Sequence, residues 1–567
     1  MSGSIAEPTA STVIGPTGTG ADEAVLNRFT RAVTWHQAGH LAEAGACYRD
    51  AIALRPDLAE IYNNLGVIAL DRGQAGVAVT AHLRAALLKP DFAEALFNLG
   101  NALNALGQRE QAVAAYREAL GYHNDFAEAY SNLGTVLFQL GGYDAAVAAY
   151  RQAIILHPGL PDPPYNLGNV LQALQQFGAA VAAYDRALVL DPENPELWSN
   201  RSTALRILGR VDAAVEGFRV ALSHAPGDPQ IHLNFAMALL HQGQFADGWR
   251  EYEWRWKTEK FRPWVVSFAL PEWTGESLSG KTVLLYTEQG FGDALMFARF
   301  APVLAATGAR VVVRTLPSLV RLLRTLPGVT EVAPFETPYF DFDYHLPLMS
   351  VPHRLGIDLD SIPATIPYLW AEATAVAAWR ARLAAAGPNL KVGVVWAGDP
   401  RRHDPSAHSM DQRRSLGFDR IASLARIPGV TLVSLQKGEP PLPALDGPIL
   451  DGPILDWMDS IVDFADTAAL VTALDLVITV DTAVAHLAGA LGKPVWILSR
   501  FDGCWRWLRD RDDTPWYPTA RLFRQHRAGD WDDVMTRVAE ALRAAIATDA
   551  TPIFEPGASS LTALEKE

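Results

Sequence analysis

Six asparagines, Asn64, Asn98, Asn132, Asn166, Asn200 and Asn234, follow one another at intervals of 34 residues, and no other feature restricts the fold of this chain as tightly. Small residues keep the same register: Gly66, Gly100, Gly134 and Gly168, and Ala44, Ala78, Ala112, Ala146, Ala180 and Ala214. So do the helix-ending prolines Pro56, Pro90, Pro158, Pro192 and Pro226. Each period holds two amphipathic helices whose apolar stripes cannot be buried alone. Stacked neighbours bury them, and the result is an α superhelix with one concave face. Seven such repeats are expected over residues 23–258, the first a degenerate one around Thr30. Gly39, Gly73, Gly107, Gly141, Gly209 and Gly243 mark the turn inside each pair, where a left-handed residue ends a helix cheaply.

The positions in register resemble those of tetratricopeptide repeats. The asparagines fall on the first helix of each repeat and form a polar ladder. A side-chain amide matches the donor and acceptor of a peptide bond, so a row of them suits capture of an extended chain by its backbone; the other reading is a solvated polar position. The ladder is similar to that of the protein O-GlcNAc transferases, and this resemblance implies an acceptor polypeptide in the concave face. The last repeat ends in WREYEWRW, where Trp249, Tyr252 and Trp256 recur at helical spacing and read as a packing stripe that fastens the array to the next domain.

Over 567 residues the net charge is −15, which argues against a nucleic-acid or anionic-membrane surface. With 49% hydrophobic and 20% charged residues the chain reads as folded nearly throughout. Cys47 and Cys504 fall in different expected domains and build neither a disulfide framework nor a zinc site. Residues 1–22 read as a disordered leader without a signal-peptide pattern, and 551–567 as a flexible tail. A cytoplasmic location without membrane insertion is the expectation.

Beyond a connecting segment at 259–276, strands alternate with helices, which implies parallel sheets covered on both faces. The first half, 277–385, opens with the strand Thr282–Tyr286, the turn Glu288-Gln289-Gly290-Phe291-Gly292-Asp293 and a helix over 294–307. Further strands are expected at 311–313 and 344–346. Leu295 stands where a dinucleotide fingerprint needs its third glycine, so that reading fails. The second half, 386–550, opens with a strand from Lys391 that runs into Trp396, Ala397 and Gly398. An arginine-rich segment comes next, including Arg401, Arg402, Arg413, Arg414 and Ser415. After it stand the strand 431–435 with Gln436 and Lys437 at its end, the tandem duplication 446–455, and a helix begun at Asp463. Guanidiniums beyond a strand end pair well with diphosphate oxygens.

The stretch from Asp475 to Trp496 carries a strand, 476–480, an N-cap pair Asp481-Thr482, and a helix from Ala483 that ends near Gly492. Helix N-termini above a parallel sheet favour phosphate groups. Asp481, Thr482, Ala483 and His486, with L-A-G-A-L-G-K-P directly after them, resemble the donor motif of glycosyltransferase family 9, the ADP-heptose:lipopolysaccharide heptosyltransferases; Ala483 stands where that family usually has glycine. The Gly290–Asp293 turn looks like the first loop of the same family.

That resemblance implies a GT-B domain of two Rossmann-like halves, a metal-independent inverting transfer and a nucleotide-activated sugar as co-substrate. The implied donor contacts are Gly290, Gly292, Trp396, Gly398, Arg414, Ser415, Gln436, Lys437, Asp481, Thr482, Ala483 and His486, with Arg506 near the phosphates. Asp293 is the implied base, and Glu288 a second carboxylate in its loop. No metal is assigned to the pairs Asp341/Asp343 and Asp358/Asp360. Bacterial proteins of this two-part design are implied to modify flagellins or other exported proteins. Two alternatives stay open: a glycan or lipopolysaccharide acceptor with the repeats as a docking module, and an inactive scaffold. The sugar, the nucleotide and the oligomeric state are not legible in the sequence.

Overall fold

A computed structural model describes residues 20–337, 341–438 and 454–547. Most of the expected leader, the expected tail and most of the duplication at 446–455 lie outside the described residues. The chain divides into two compact units, Met1–Arg201 and Ser202–Glu567.

From Gly20 to Tyr252 the described residues form seven consecutive helix pairs, beginning with Gly20–Gln37 and Leu41–Leu54 and closing with Pro229–Gln242 and Phe245–Tyr252. The turn glycines adopt positive φ, from 71° at Gly73 to 85° at Gly243. The fifth pair has no glycine at that position, and Gln175 takes φ 60° in its place. Repeat geometry therefore overrides the residue's own preference there.

The second glycine register has a different cause. A Cβ on Gly168 would sit 2.4 Å from the Tyr184 ring, one on Gly100 2.5 Å from Tyr116, and one on Gly134 2.9 Å from Tyr150. Tyr48, Tyr116, Tyr150 and Tyr184, all fully buried or nearly so, share the 34-residue period, with His82 in the same place against Gly66. Close helix contact in each pair is thus a ring laid on a glycine.

The second unit holds two parallel sheets. In the first, β1 (Thr282–Tyr286), β2 (Arg310–Thr315), β3 (Val329–Pro334) and β4 (Tyr344–Pro347) stand in the order β3-β2-β1-β4. In the second, the strands are β5 (Leu390–Val395), β6 (Val430–Ser434), β7 (Ile454–Asp456), β8 (Leu476–Val480), β9 (Val495–Ser499) and β10 (Ala520–Arg524). They lie in the order β10-β9-β8-β5-β6-β7, so the direction of winding reverses between β5 and β8. The central strands are buried on both faces, as their unbroken β-branched runs require.

One expectation is corrected, and two features are added. The helix expected at 294–307 is two short ones, Phe291–Phe297 and Phe300–Ala305. The arginine-rich segment is a helix, Pro405–Arg414, because Asp404 caps it by accepting from the Ala407 N–H with proline in the first turn. The compact division falls at 201/202, inside the expected repeat array. From Ser202 onward the helices share a core with the sheets: Trp249 meets Phe297 edge-on at 5.9 Å and Trp505 at 5.3 Å, while Phe245 packs on Trp516. The WREYEWRW stripe is therefore interior to that unit, although Trp264 of the connecting segment stays 40% exposed.

Candidate functional site

The carboxyl ends of β5 and β8 are neighbours at the point of reversal, where a parallel sheet leaves a crevice. Two loops fill it and are tied together. After β5, Gly398 lies so close to Arg414 that a Cβ would come within 1.8 Å of its guanidinium, and its N–H donates to Ser415 Oγ at 3.1 Å. Arg414 Nη1 donates to the Asp481 carbonyl beyond β8 at 3.0 Å, while Nη2 holds Asp411 at 2.6 Å. Arg414 and Asp481 are thus brought together.

Asp481 is partly exposed, and its carboxylate accepts no hydrogen bond among the described residues. Burial would raise its pKa, but Arg500, His486, Arg414 and Arg506 around it outweigh that and lower it. Thr482 is the N-cap of the helix Ala483–Ala490 with extended backbone, yet its hydroxyl bonds Thr479 Oγ1 at 3.0 Å and makes no cap bond. The expected capping role is corrected accordingly. The first-turn N–H groups are left without a side-chain partner.

The first sheet's loop reaches the same helix. A Cβ on Gly292 would sit 3.0 Å from His486 Cδ2 and 3.5 Å from the Ala483 Cα, so glycine is needed for this approach. Gly290 N-caps the helix Phe291–Phe297, with Asp293 in its first turn. Asp293 is ion-paired with Arg506, whose Nη1 also lies 3.1 Å from Cys504 Sγ. Burial opposes the Arg506 charge, but Asp293, Cys504 and Asp481 raise its pKa overall. Arg506 is therefore held by the candidate base, where the sequence had suggested the phosphates.

Thr287, Glu288, Gln289, Asp293, Ala294, Leu348 and Met349 line a small cleft. Glu288 Oε1 accepts from Arg255 Nη2 at 2.7 Å, and both side chains are fully buried. Arg255 also holds Glu253 at 2.6 Å and Ser350 at 2.7 Å. Burial pushes the Glu288 carboxyl up to about 7, against the opposing pull of Arg255. The sequence reading missed Arg255, although a cation inside an aromatic stripe is a sign that it has a buried partner.

Several expected ligand contacts are turned inward. His486 is 4% exposed, stacks on Trp507 at 5.3 Å and shares a hydrogen bond with Tyr517 at 3.0 Å. Burial lowers its pKa to about 3, so the ring is neutral. Trp396 lies wholly in the core against Phe418. Gln436 spends its carbonyl on the backbone N–H groups of Trp396 and Ala397. Lys437 donates to the Ile461 carbonyl. His486, Trp396 and Gln436 are thus buried beneath the crevice, whereas Lys437 stays exposed at the end of β6.

The asparagines separate as well. Asn64 and Asn98 are buried, and they donate to Tyr48 Oη at 3.2 Å and Asn63 Oδ1 at 3.0 Å. Asn132 and Asn200 are half-buried and donate to Asn101 and Asn169 of the preceding repeat, at 2.8 and 3.2 Å. Asn166 is half-buried, and so is Asn234, which accepts from Gln230. At least four of the six amides thus tie helices together, a role the ladder reading did not include.

Comparison with known proteins identifies the helical region. The chain matches the family described as TPR repeat over residues 35–73, 100–141 and 134–175, and that described as Tetratricopeptide repeat over 165–229. The N-terminal region is a tetratricopeptide-repeat array of the kind that binds peptides or proteins. Protein FlbA of Caulobacter vibrioides is 31% identical over 335 residues, 54% of this chain and 54% of that protein, so the chain spans about half the length of this relative. Among solved structures, MamA is 25% identical over 29% of this chain and 95% of its own, with a TM-score of 0.28. Pseudomonas aeruginosa PilF is 19% identical over 38% of this chain and 97% of its own, with a TM-score of 0.35. No helix among the described residues is long and apolar enough to cross a membrane.

Proposed function

We propose that the chain is a metal-independent, inverting protein glycosyltransferase whose second unit contains a GT-B domain. The strand order β10-β9-β8-β5-β6-β7 is that of a doubly wound nucleotide-binding sheet, with β5 as its first strand. The carrying observation is the abutment of two helices at their first turns: Gly292, beside Asp293 in the helix Phe291–Phe297, against Ala483 and His486 of the helix Ala483–Ala490. It sets a candidate base next to a helix N-terminus suited to a donor diphosphate. Asp293 takes the proton of an acceptor hydroxyl as that oxygen attacks the anomeric carbon, and the nucleoside diphosphate leaves toward the arginines after β5 and β9. The hydroxyl belongs to a polypeptide presented by the repeats; flagellin or another exported protein is the acceptor that the family resemblance suggests.

A second reading, an inactive binding scaffold, is favoured by one observation: Asp293 and Arg506 already satisfy each other. Calorimetry and thermal melts with nucleoside mono- and diphosphates and nucleotide sugars, on the parent chain and Asp481→Ala, separate the two. A ligand that binds only the folded state raises its stability by mass action. One nucleotide class stabilising the parent but not the variant supports the transferase. No stabilisation at millimolar ligand leaves the scaffold.

A further inference from the structure

Two arginines from separate elements converge on one carboxylate, and a third stands in their field. Arg500, just past β9, lies with Nε 2.9 Å from Asp502 Oδ1 and donates through Nη2 to the Gly503 carbonyl at 3.2 Å. Arg413, from the helix Pro405–Arg414, places Nη2 3.4 Å from Asp502 Oδ2. Asp502 and Arg500 are nearly inaccessible, at 5% and 8% exposure of their side chains, and Arg413 is at 18%. The third is Arg206, in the last turn of the helix Pro195–Ile207 and on the Ser202 side of the division. Its charge is felt by, and feels, Asp502, Arg500 and Arg413. The turn directly after it abuts this loop, since a Cβ on Gly209 would lie 3.9 Å from the Phe501 ring.

Arg206 makes neither a hydrogen bond nor an ion pair among the described residues. Asp502 is the carboxylate that pairs with both Arg413 and Arg500. Burial together with the two like charges outweighs Asp502 and lowers the Arg206 pKa. Arg413 directly precedes Arg414, which donates to the Asp481 carbonyl, so the cluster borders the crevice at the β5/β8 reversal. Planar guanidinium forks match phosphoryl oxygens in pairs, and three of them suit an anion with two charged groups better than a single carboxylate.

We propose that Arg206, Arg413 and Arg500 bind the diphosphate of the donor around Asp502, so that a helix of the repeat region supplies one wall of the nucleotide site. The assignment of the anion as a donor diphosphate rests on the transferase reading. Arg206 contacts the anion directly; Asp502 holds the other two guanidiniums in place.

The test is calorimetric titration of the full chain with inorganic pyrophosphate and, separately, with a panel of nucleoside diphosphates, on the parent protein, Arg206→Met and Arg206→Lys. Methionine keeps an apolar stem, and a melt of each variant checks folding. Arg206→Met should weaken both ligands by about tenfold or more, the loss expected for a charge-assisted contact, with Arg206→Lys in between. Pyrophosphate binding that depends on Arg206 with no nucleoside diphosphate binding sustains the anion site and removes the donor. Nucleoside diphosphate binding indifferent to Arg206 overturns the inference and leaves the transferase reading standing. Failure of both ligands to bind the parent protein overturns the inference as well.

Discussion

Arg255 Nη2 lies 2.7 Å from Glu288 Oε1, and neither side chain is exposed to solvent. The second carboxylate oxygen of Glu288 is buried with no hydrogen-bond partner among the described residues. Such a pair is costly to assemble and still more costly to break from one side. It joins the WREYEWRW stripe to the loop that carries Asp293, so the two are set in place by one buried charge pair.

The raised Glu288 pKa makes this visible in stability. A carboxyl at about 7 in the folded state and 4.5 in the unfolded state holds its proton more tightly when folded. The resulting stabilisation is complete below about pH 4.5 and is lost as pH rises through 7. Glu288→Gln removes this titration. Denaturation midpoints of parent and Glu288→Gln, compared from pH 5 to pH 8, should show the parent losing ground steadily toward pH 8. A constant difference across that range would refute the assignment.

Asp293 is the group on which transfer depends under the proposed function. Asp293→Asn keeps the shape and removes the proton acceptor. Turnover should fall by about 10²–10⁴-fold while nucleotide affinity changes little. Rates and titrations on one preparation measure both. Unchanged turnover would move the base elsewhere, with Glu288 the next carboxylate in the cleft.

Legibility followed the range of the interactions. The asparagine, glycine and proline registers are local and periodic, so the repeats could be read directly. The tyrosine register at the same period was overlooked, because its meaning lies in the glycine each ring covers. Central strands such as Leu476–Val480 show as β-branched runs. Val329–Pro334, Ile454–Asp456 and Ala520–Arg524 stand at or near sheet edges, and their mixed or short sequences carry no such run. At the site, Asp481 and Arg414 could be named from the sequence, but the contact between them joins two loops 67 residues apart. Whether Trp396 and His486 face the crevice or the core depends on tertiary packing, which no motif encodes.

The asparagine ladder divides into structural and available members. Asn98→Ala deletes a buried donor and leaves Asn63 Oδ1 with only His82 beside it. It should cost about 1–3 kcal/mol and lower the melting temperature. Asn166 is half-buried and makes no comparable bond among the described residues; Asn166→Ala should shift stability by no more than about 0.5 kcal/mol. If the concave face holds a polypeptide backbone, only the Asn166 change weakens acceptor binding without a stability loss, which melts and binding isotherms would reveal together.

His82 replaces tyrosine in the ring register, pressed so closely on Gly66 that a Cβ there would lie 2.5 Å from its Cε1. Nδ1 shares a hydrogen bond with Asn63 Oδ1 at 3.1 Å, and Nε2 is buried without a partner. Burial lowers its pKa from 6.5 to about 3. A histidine kept neutral in the folded state but free to protonate when unfolded gives stability that is present above pH 6.5 and lost as pH falls toward 3. At pH 4.5 the loss amounts to about 2–3 kcal/mol. Tyrosine packs at this position against Gly100, Gly134 and Gly168 in the neighbouring repeats, so His82→Tyr should fold and should lose less stability on acidification. Denaturation of parent and variant at pH 7 and pH 4.5 measures the difference. Equal losses in both would mean that acid acts on the array through other groups, and that His82 is a tolerated variant of the ring and no pH-sensitive joint.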